Sequence, residues 1–463
     1  MADDDALDVE DESAERPAVS VWLVLAALFA LALSVLALTE ATGRTALVSR
    51  VQVLLFGPAD DNLRIVAVYG TGGEEHSFLR GARMAIDRIN DADGGLFKKR
   101  LELVSYGERV HSDETPLEST VAQTLALSGR IARTKNLLAV VGHQWSDTAV
   151  AASSIYSLND VLFLATHATA ASLTNHDFNT VFALQPDNAT NAEVVANYAM
   201  KNGMRRFVVL SDKTDYGKES AAFFTAAITN AGADLVFRGN LASGRRSIDQ
   251  LLMFILDNNL FKRSDFDAFF IVSSSIPETA EFIKRSRDLG LTMPILGMEY
   301  LFSADMEKAV GKEAMKDVIG VSLYDRDNIS ERARTFVDAF QKAFGTMPDL
   351  DAALGYDAVT LVRDAARRAG SRDPDRLSDI LKVARYKKPF VGVTGPLVFD
   401  RNGLITDTQV FIIRHDGTEF RTAAHYEIPT TWDTLGEDSG ETSTESWTSP
   451  DEGVRPDEER QDQ

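Results

Sequence analysis

The residues best suited to chemistry stand at the ends of two short apolar runs. Ser146 follows Leu137–Val141, and the loop Thr166, His167, Ala168 and Thr169 follows Val161–Ala165. Continuous apolar runs of this length suit strands buried on both faces. Gly142 breaks the first run. Ser146 and Asp147 then occupy N-cap positions ahead of the small-residue stretch Thr148–Leu158. A helix N-terminus beside two hydroxyl-rich loops suits a small anion such as a carboxylate. The alternative for Ser146 and Thr169 is simple helix capping. Glu299, in LGMEYL, is a lone carboxylate just past a short apolar strand. It is either a surface turn residue or the counter-ion of a ligand ammonium. Tyr216, in DKTDYGKES, is either a cleft wall or a turn residue, and Asp187, in QPDN, has the form of a helix cap.

Several chemistries are excluded. The chain has no cysteine, which removes disulfides, thiolate metal sites and cysteine nucleophiles, and its seven histidines never fall in a metal-ligand spacing. YGTGG (Tyr69–Gly73) would place the third glycine of a dinucleotide fingerprint at Glu75, whose charge would repel a pyrophosphate. No nucleophile elbow, phosphate-binding loop or zinc-protease helix occurs. An enzyme on a doubly wound fold would therefore lack its machinery, and no cofactor is expected.

The elements that must position these residues alternate. Arg64–Tyr69, Leu101–Tyr106, Phe207–Leu210, Asp234–Phe237 and Ala268–Val272 read as strands. Phe78–Asn90, Thr115–Thr134, Gly217–Ala231, Ile248–Asn258 and Pro277–Leu289 read as helices between them. Such alternation predicts an α/β fold with parallel sheets wound by right-handed crossovers. There are too many units for one sheet, so the chain divides into two lobes near Asp187. Tyr356–Arg368 and Leu377–Arg385 are return helices, Thr394–Gly403 is a strand and turn, and Gln409–Arg414 is a last strand.

Of the formal net charge of −21, most lies at the ends: residues 1–18 hold eight acidic side chains against Arg16 alone. The stretch after Tyr426 holds twelve against Arg455 and Arg460. Both ends are expected to be solvated tails. The nearly balanced middle shows no basic stripe, which argues against nucleic acid. Val19–Leu38 carries no charge, long enough for a transmembrane anchor, and the acidic segment before it is unlike the basic start of a signal peptide. Residues 39–62 would be a juxtamembrane connector.

Taken together, GARMAIDRIN with the following GG, AVVGHQWSDT, ATAASLT, FALQPDNAT, LSDKTDYGKES, GYDAV and FVGVTGPLVFDRNG resemble the type I periplasmic binding proteins. The likeness is to the leucine/isoleucine/valine-binding group and runs from about Arg64 to His425. It implies two Rossmann-like lobes joined by three crossings, near Asp187, Gly320 and Gly395, that close on a ligand. Lobe 1 would comprise residues 63–186 and 321–394, and lobe 2 residues 187–320 and 395–426. It further implies that Ser146 and Thr169, with the backbone of their loops at His167 and Ala168, hold an amino-acid carboxylate. Glu299 would pair with the α-ammonium, and Tyr216 would lie at the cleft. The family's glycine-and-tyrosine stretch stands here as Ser273–Ser275, with Ser275 a candidate contact; His167 replaces a small residue, and the first-lobe aromatic wall would fall near Glu74. The function implied is extracytoplasmic capture of a small amino-acid-like ligand, or a related polar acid or amide. Delivery would be to an ABC permease, or the same trap would serve a sensory partner.

Overall fold

The computed structural model describes residues 61–70, 76–109, 117–241, 244–257, 266–325 and 330–429. The expected membrane segment 19–38, most of the connector, residues 1–18, the C-terminal stretch from 430 and Glu74 lie outside these residues, whereas Glu427 and Ile428, expected in the tail, end the last strand. Among the described residues no helix is long and apolar enough to cross a membrane.

The first sheet contains β1 (Leu63–Gly70), β2 (Leu101–Glu108), β3 (Leu137–Gly142), β4 (Phe163–Ala165) and β5 (Val181–Ala183). All pairings are parallel and the order is β2-β1-β3-β4-β5. Its central strands are the apolar runs: β1, β3 and β4 are buried almost throughout, whereas the edge strand β2 alternates toward solvent. The crossovers are α1 (Ser77–Ala92), α2 (Leu117–Ile131) and α3 (Ser146–Leu158). In α1, Phe78, Leu79, Ala82, Ala85, Ile86 and Ile89 recur at helical spacing and are buried. Each large side chain so buried contributes about 1.5–3 kcal/mol.

After β5 the chain enters the second lobe through α4 (Asn188–Lys201), with Asp187 as its N-cap accepting from the Thr190 amide at 2.9 Å. Next come β6 (Arg206–Ser211), α5 (Asp215–Asn230), β7 (Asp234–Asn240), α6 (Arg245–Asp257), β8 (Ala268–Val272), α7 (Ile276–Asp288), β9 (Ile295–Gly297), a 3-10 turn (Glu299–Phe302), α8 (Ala304–Val310) and β10 (Val318–Ser322). The chain then returns to the first lobe as α9 (Glu331–Phe344), α10 (Leu350–Ala369) and α11 (Pro374–Lys387), followed by β11 (Phe390–Val391), β12 (Pro396–Phe399) and β13 (Ile405–Thr406). β14 (Thr408–His415) and β15 (Phe420–Ile428) finish the second sheet, ordered β15-β14-β10-β9-β8-β6-β7, with β14 and β15 antiparallel.

Two expected boundaries move. The second crossing follows β10, because Val318–Ser322 is a fully buried strand inside the second sheet. The third lies at Asp407 and not near Gly395. Leu397, Phe399 and Ile405 bury in the first core, and Ala183 donates its amide to the Gly403 carbonyl at 2.8 Å. Residues 395–406 therefore belong to the first lobe.

α10 carries Asp349 and Asp351 at its start, and its placement depends on two glycines. A Cβ on Gly81 would lie 2.0 Å from the Ala352 carbonyl oxygen, and one on Gly355 would lie 2.2 Å from that of Phe78. Helices α1 and α10 thus touch backbone to backbone, which is why GAR and GYD carry glycine. The same contact brings Asp349 onto the Ser77 hydroxyl, beside the helix start of α1.

Candidate functional site

The carboxyl ends of strands from both sheets open on one cavity of 1010 Å³. That is where parallel sheets place ligands, and the volume stands at the upper end for small-molecule sites. The first lobe contributes Tyr69 from β1, Gln144, Trp145 and Ser146 after β3, and His167 after β4. The second contributes Thr214 and Tyr216 after β6, Ser274 and Ser275 after β8, and Glu299 and Tyr300 after β9. Asp349 and Asp351 reach the wall from the start of α10.

The Glu299 carboxylate is only partly satisfied. Its Oε1 accepts from the Tyr216 hydroxyl at 3.2 Å, while Oε2 is buried and without a hydrogen-bond partner. Burial pushes its carboxyl up to about 7, partly opposed by the Tyr216 hydrogen bond and by His167, while Asp351 adds to the rise. Tyr216 is raised well above its ordinary value, first by burial and then by the Glu299 charge. A largely buried carboxylate in the wall of a cavity suits a ligand cation.

Ser146 is the first residue of α3, one position past the N-cap expected for it. Trp145 is the N-cap and supplies no side-chain hydrogen bond, because the helix starts earlier than the small-residue run suggests. The Ser146 hydroxyl accepts only a long contact, 3.4 Å, from the Thr169 amide. Ser275 does cap α7, accepting from the Glu278 amide at 3.5 Å, so it serves the helix and the wall together.

Ala168 and Thr169 do not reach the cavity. Ala168 is buried beneath the loop, and the Thr169 hydroxyl donates to Asn188 Oδ1 at 2.6 Å, joining the loop to the start of α4. In this structure the Thr169 hydroxyl thus holds its loop, while its amide meets Ser146. From the same loop His167 lines the cavity. Its Nε2 is 3.2 Å from Asp351 Oδ1 and its Nδ1 is 2.7 Å from the Thr166 hydroxyl. Tyr69 donates to the other Asp351 oxygen at 3.0 Å. Burial works to raise the Asp351 carboxyl, but the His167 hydrogen bond and charge, with His76 and the Tyr69 hydroxyl, hold it below the usual carboxylate range. Among the described residues no group of His, Asp and Glu is arranged to hold a metal ion.

The periplasmic binding protein family model matches residues 70–419, three quarters of the chain. The chain belongs to the type I periplasmic binding proteins. More narrowly it is of the leucine/isoleucine/valine-binding type, a family of solute binders and not enzymes. The "Leucine-, isoleucine-, valine-, threonine-, and alanine-binding protein" of Pseudomonas aeruginosa is 23% identical over 326 residues, covering 70% of this chain and 80% of the relative. The branched-chain amino acid transporter substrate-binding protein LivJ of Streptococcus pneumoniae, solved with isoleucine, aligns with a TM-score of 0.66 at 22% identity. That alignment covers 79% of this chain and 99% of LivJ. A solute-binding protein of R. palustris solved with benzoate also aligns at 0.66, with 18% identity, 78% of this chain and 95% of its own. At these identities the solved structures show a shared fold alone.

This binding protein also holds the loop between β3 and α3 with residues that give no signal in the sequence. Glu108, at the end of β2, reaches past β1 to accept from the Gln144 amide at 2.6 Å and to meet His143 Nδ1 at 2.6 Å. His143 Nε2 lies 3.1 Å from the Tyr156 hydroxyl, and Gln144 Oε1 accepts from the Gly70 amide at 3.1 Å. Glu108, His143 and Tyr156 are all buried. This network determines where Trp145 and Ser146 stand. Glu108→Gln replaces a charged acceptor by an amide and should lower folding stability by about 1.5–3 kcal/mol. A urea unfolding curve with an unchanged midpoint would show that the loop does not depend on it.

Asp351 and Tyr69 are likewise absent from the sequence-level candidates. Asp351 sits in the first turn of a helix whose cap, Asp349, accepts from the Ala352 amide at 3.0 Å, so DLDAA reads as ordinary capping.

Proposed function

We propose that the protein captures an α-amino acid, or a close relative of one, between its two lobes. The carboxylate lies at Ser146 and the start of α3, and the ammonium at Glu299. The carboxylate of Glu299, a cavity-lining residue whose Oε2 is buried without a hydrogen-bond partner, carries this reading. Donors on one lobe and a desolvated negative charge on the other are both satisfied only when the lobes close, so the ligand selects the closed state. The aromatic acid bound by the R. palustris neighbour has no ammonium to offer this oxygen. Branched-chain amino acids, named for the Pseudomonas aeruginosa relative, would meet a wall of His167, Asp351 and Tyr69. The protein acts outside the cytoplasm, tethered through residues 19–38, and passes its ligand to an ABC permease.

A second reading is favoured by that uncharged segment, since an anchor also suits a receptor whose closure is read by a signalling partner. Co-purification of the crosslinked full-length protein distinguishes the two: a permease supports uptake, and a sensor chain supports signalling.

The capture reading is tested by thermal shift of the full-length protein against amino acids, amides and short peptides. A ligand specific to the folded protein raises the melting temperature, with about 2.7 kcal/mol of stabilisation at a hundred times its Kd. No shift with any α-amino acid would contradict it. Ser146→Ala should cost about 1–2 kcal/mol of binding through a lost hydrogen bond to a charged group. Unfolding of that variant would instead assign Ser146 to the fold.

A further inference from the structure

The cavity wall is rich in carboxylates. Asp212, Glu278, Glu299, Asp305, Asp349 and Asp351 line it, against Arg80 and Lys213. Two of the acids are engaged by the fold. Asp212 accepts from the Thr214 amide at 3.0 Å and from the Ser274 amide at 2.5 Å, and Asp349 holds Ser77 and caps α10. Arg80 lies over the Phe344 ring, its guanidinium carbon 5.6 Å from the centroid.

Of the other four, Glu278 and Asp305 stand in the first turns of α7 and α8, and Glu299 and Asp351 come one from each lobe. An ionised carboxylate offers about four acceptor positions. Glu299 has one oxygen buried without a partner, and the Asp351 bonds named above, from His167 and Tyr69, take one position on each oxygen. A zwitterion with an aliphatic side chain brings one positive charge, which Glu299 takes. Its side chain would then desolvate the carboxylate and imidazole around Asp351 without replacing their hydrogen bonds, at a cost. A second cation removes that cost. The surroundings also suit one: Tyr69, which donates to Asp351, lines the cavity beside that carboxylate and offers an aromatic ring to a cation. A cavity of 1010 Å³ has room for a long side chain.

We propose that the ligand is an α-amino acid with a cationic side chain, of the lysine, ornithine or arginine class, whose distal charge is held at Asp351. This rests on the amino-acid reading above and adds a second pole to it. The ligand's α-carboxylate stays at Ser146 and its α-ammonium at Glu299. Its side chain runs along the first-lobe wall past Tyr69 to Asp351.

Isothermal titration of the full-length protein with lysine, arginine, leucine and norleucine tests it. Norleucine has the lysine carbon chain without the distal ammonium, so the comparison needs no variant. Lysine or arginine should bind at least tenfold more tightly than norleucine, and Asp351→Asn should bring that ratio toward one. Norleucine or leucine binding as tightly as lysine and arginine would overturn this inference while leaving the amino-acid reading intact. Binding of none of the four, with no other α-amino acid producing a thermal shift, would overturn both.

Discussion

Glu299→Gln is expected to weaken ligand binding by at least tenfold, and by about a hundredfold to a few thousandfold if the ion pair is fully desolvated. Removing one partner of a buried pair typically costs about 3–5 kcal/mol, because the other charge is left buried and unpaired. The same substitution should act oppositely on the ligand-free protein. There the carboxylate has a buried oxygen with no partner, and burial raises its carboxyl to about 7. Above that pH the folded protein holds an unpaired charge that glutamine would not carry. Melting curves at pH 8 should show ligand-free Glu299→Gln to be more stable than the parent, and at pH 5 the two should nearly coincide. Unchanged affinity together with unchanged melting would remove Glu299 from the site.

Ligand affinity should rise about tenfold per pH unit up to about pH 7 and then level. The bound state requires ionised Glu299, whose carboxyl titrates at about 7 when the site is empty. Below that value each unit of pH leaves a tenfold smaller share of competent sites. The groups facing Glu299 are Tyr216, Tyr300, His167 and Asp351. For ligand-free stability the sign reverses. Folded Glu299 holds its proton more tightly than the ordinary carboxyl value of 4.5 allows. Its contribution is therefore full below about 4.5 and is lost as pH rises through about 7. Titrations between pH 5 and 8 in two buffers of different ionisation enthalpy would show proton release on binding below pH 7. A flat affinity profile would show that no ionisation of Glu299 accompanies capture.

The sequence makes the sheets legible because their central strands are buried on both faces and appear as continuous apolar runs. Val140, Leu210 and Ile271 are examples. The edges are harder to read. β15 alternates between exposed and partly buried positions until Tyr426, so its sequence merges with the acidic stretch that follows. Helix α9 carries Phe336 and Phe340 on its buried face, a periodic signal that the sequence analysis leaves unused. The third crossing has no local signal. PLVF and the turn after it would suit either lobe, and burial of Leu397, Phe399 and Ile405 in the first core, with the Ala183–Gly403 hydrogen bond, decides between them.

The site divides in the same way. Ser146, His167, Tyr216, Ser275 and Glu299 follow strands closely, so strand ends alone bring them to the cavity. Thr169 has the same local signature, yet Asn188, nineteen residues on, takes its hydroxyl. Asp351 enters from a helix that returns after the whole second lobe, 184 residues beyond His167. Glu108 meets His143 across an intervening strand. Contacts of that kind belong to tertiary structure and leave no spacing in the chain.

The central claim is that one ligand bridges a carboxylate site on the first lobe and Glu299 on the second. Calorimetry with the tightest-binding amino acid, its methyl ester and its des-amino analogue tests this most directly. The ester keeps the ammonium and loses the anion; the analogue keeps the anion and loses the ammonium. Each should bind at least a hundredfold more weakly than the parent amino acid, since the analogue leaves the Glu299 charge desolvated and unpaired and the ester leaves the first-lobe donors without their anion. A des-amino analogue that binds as tightly as its parent would contradict the account, because Glu299 would then have no cation to hold.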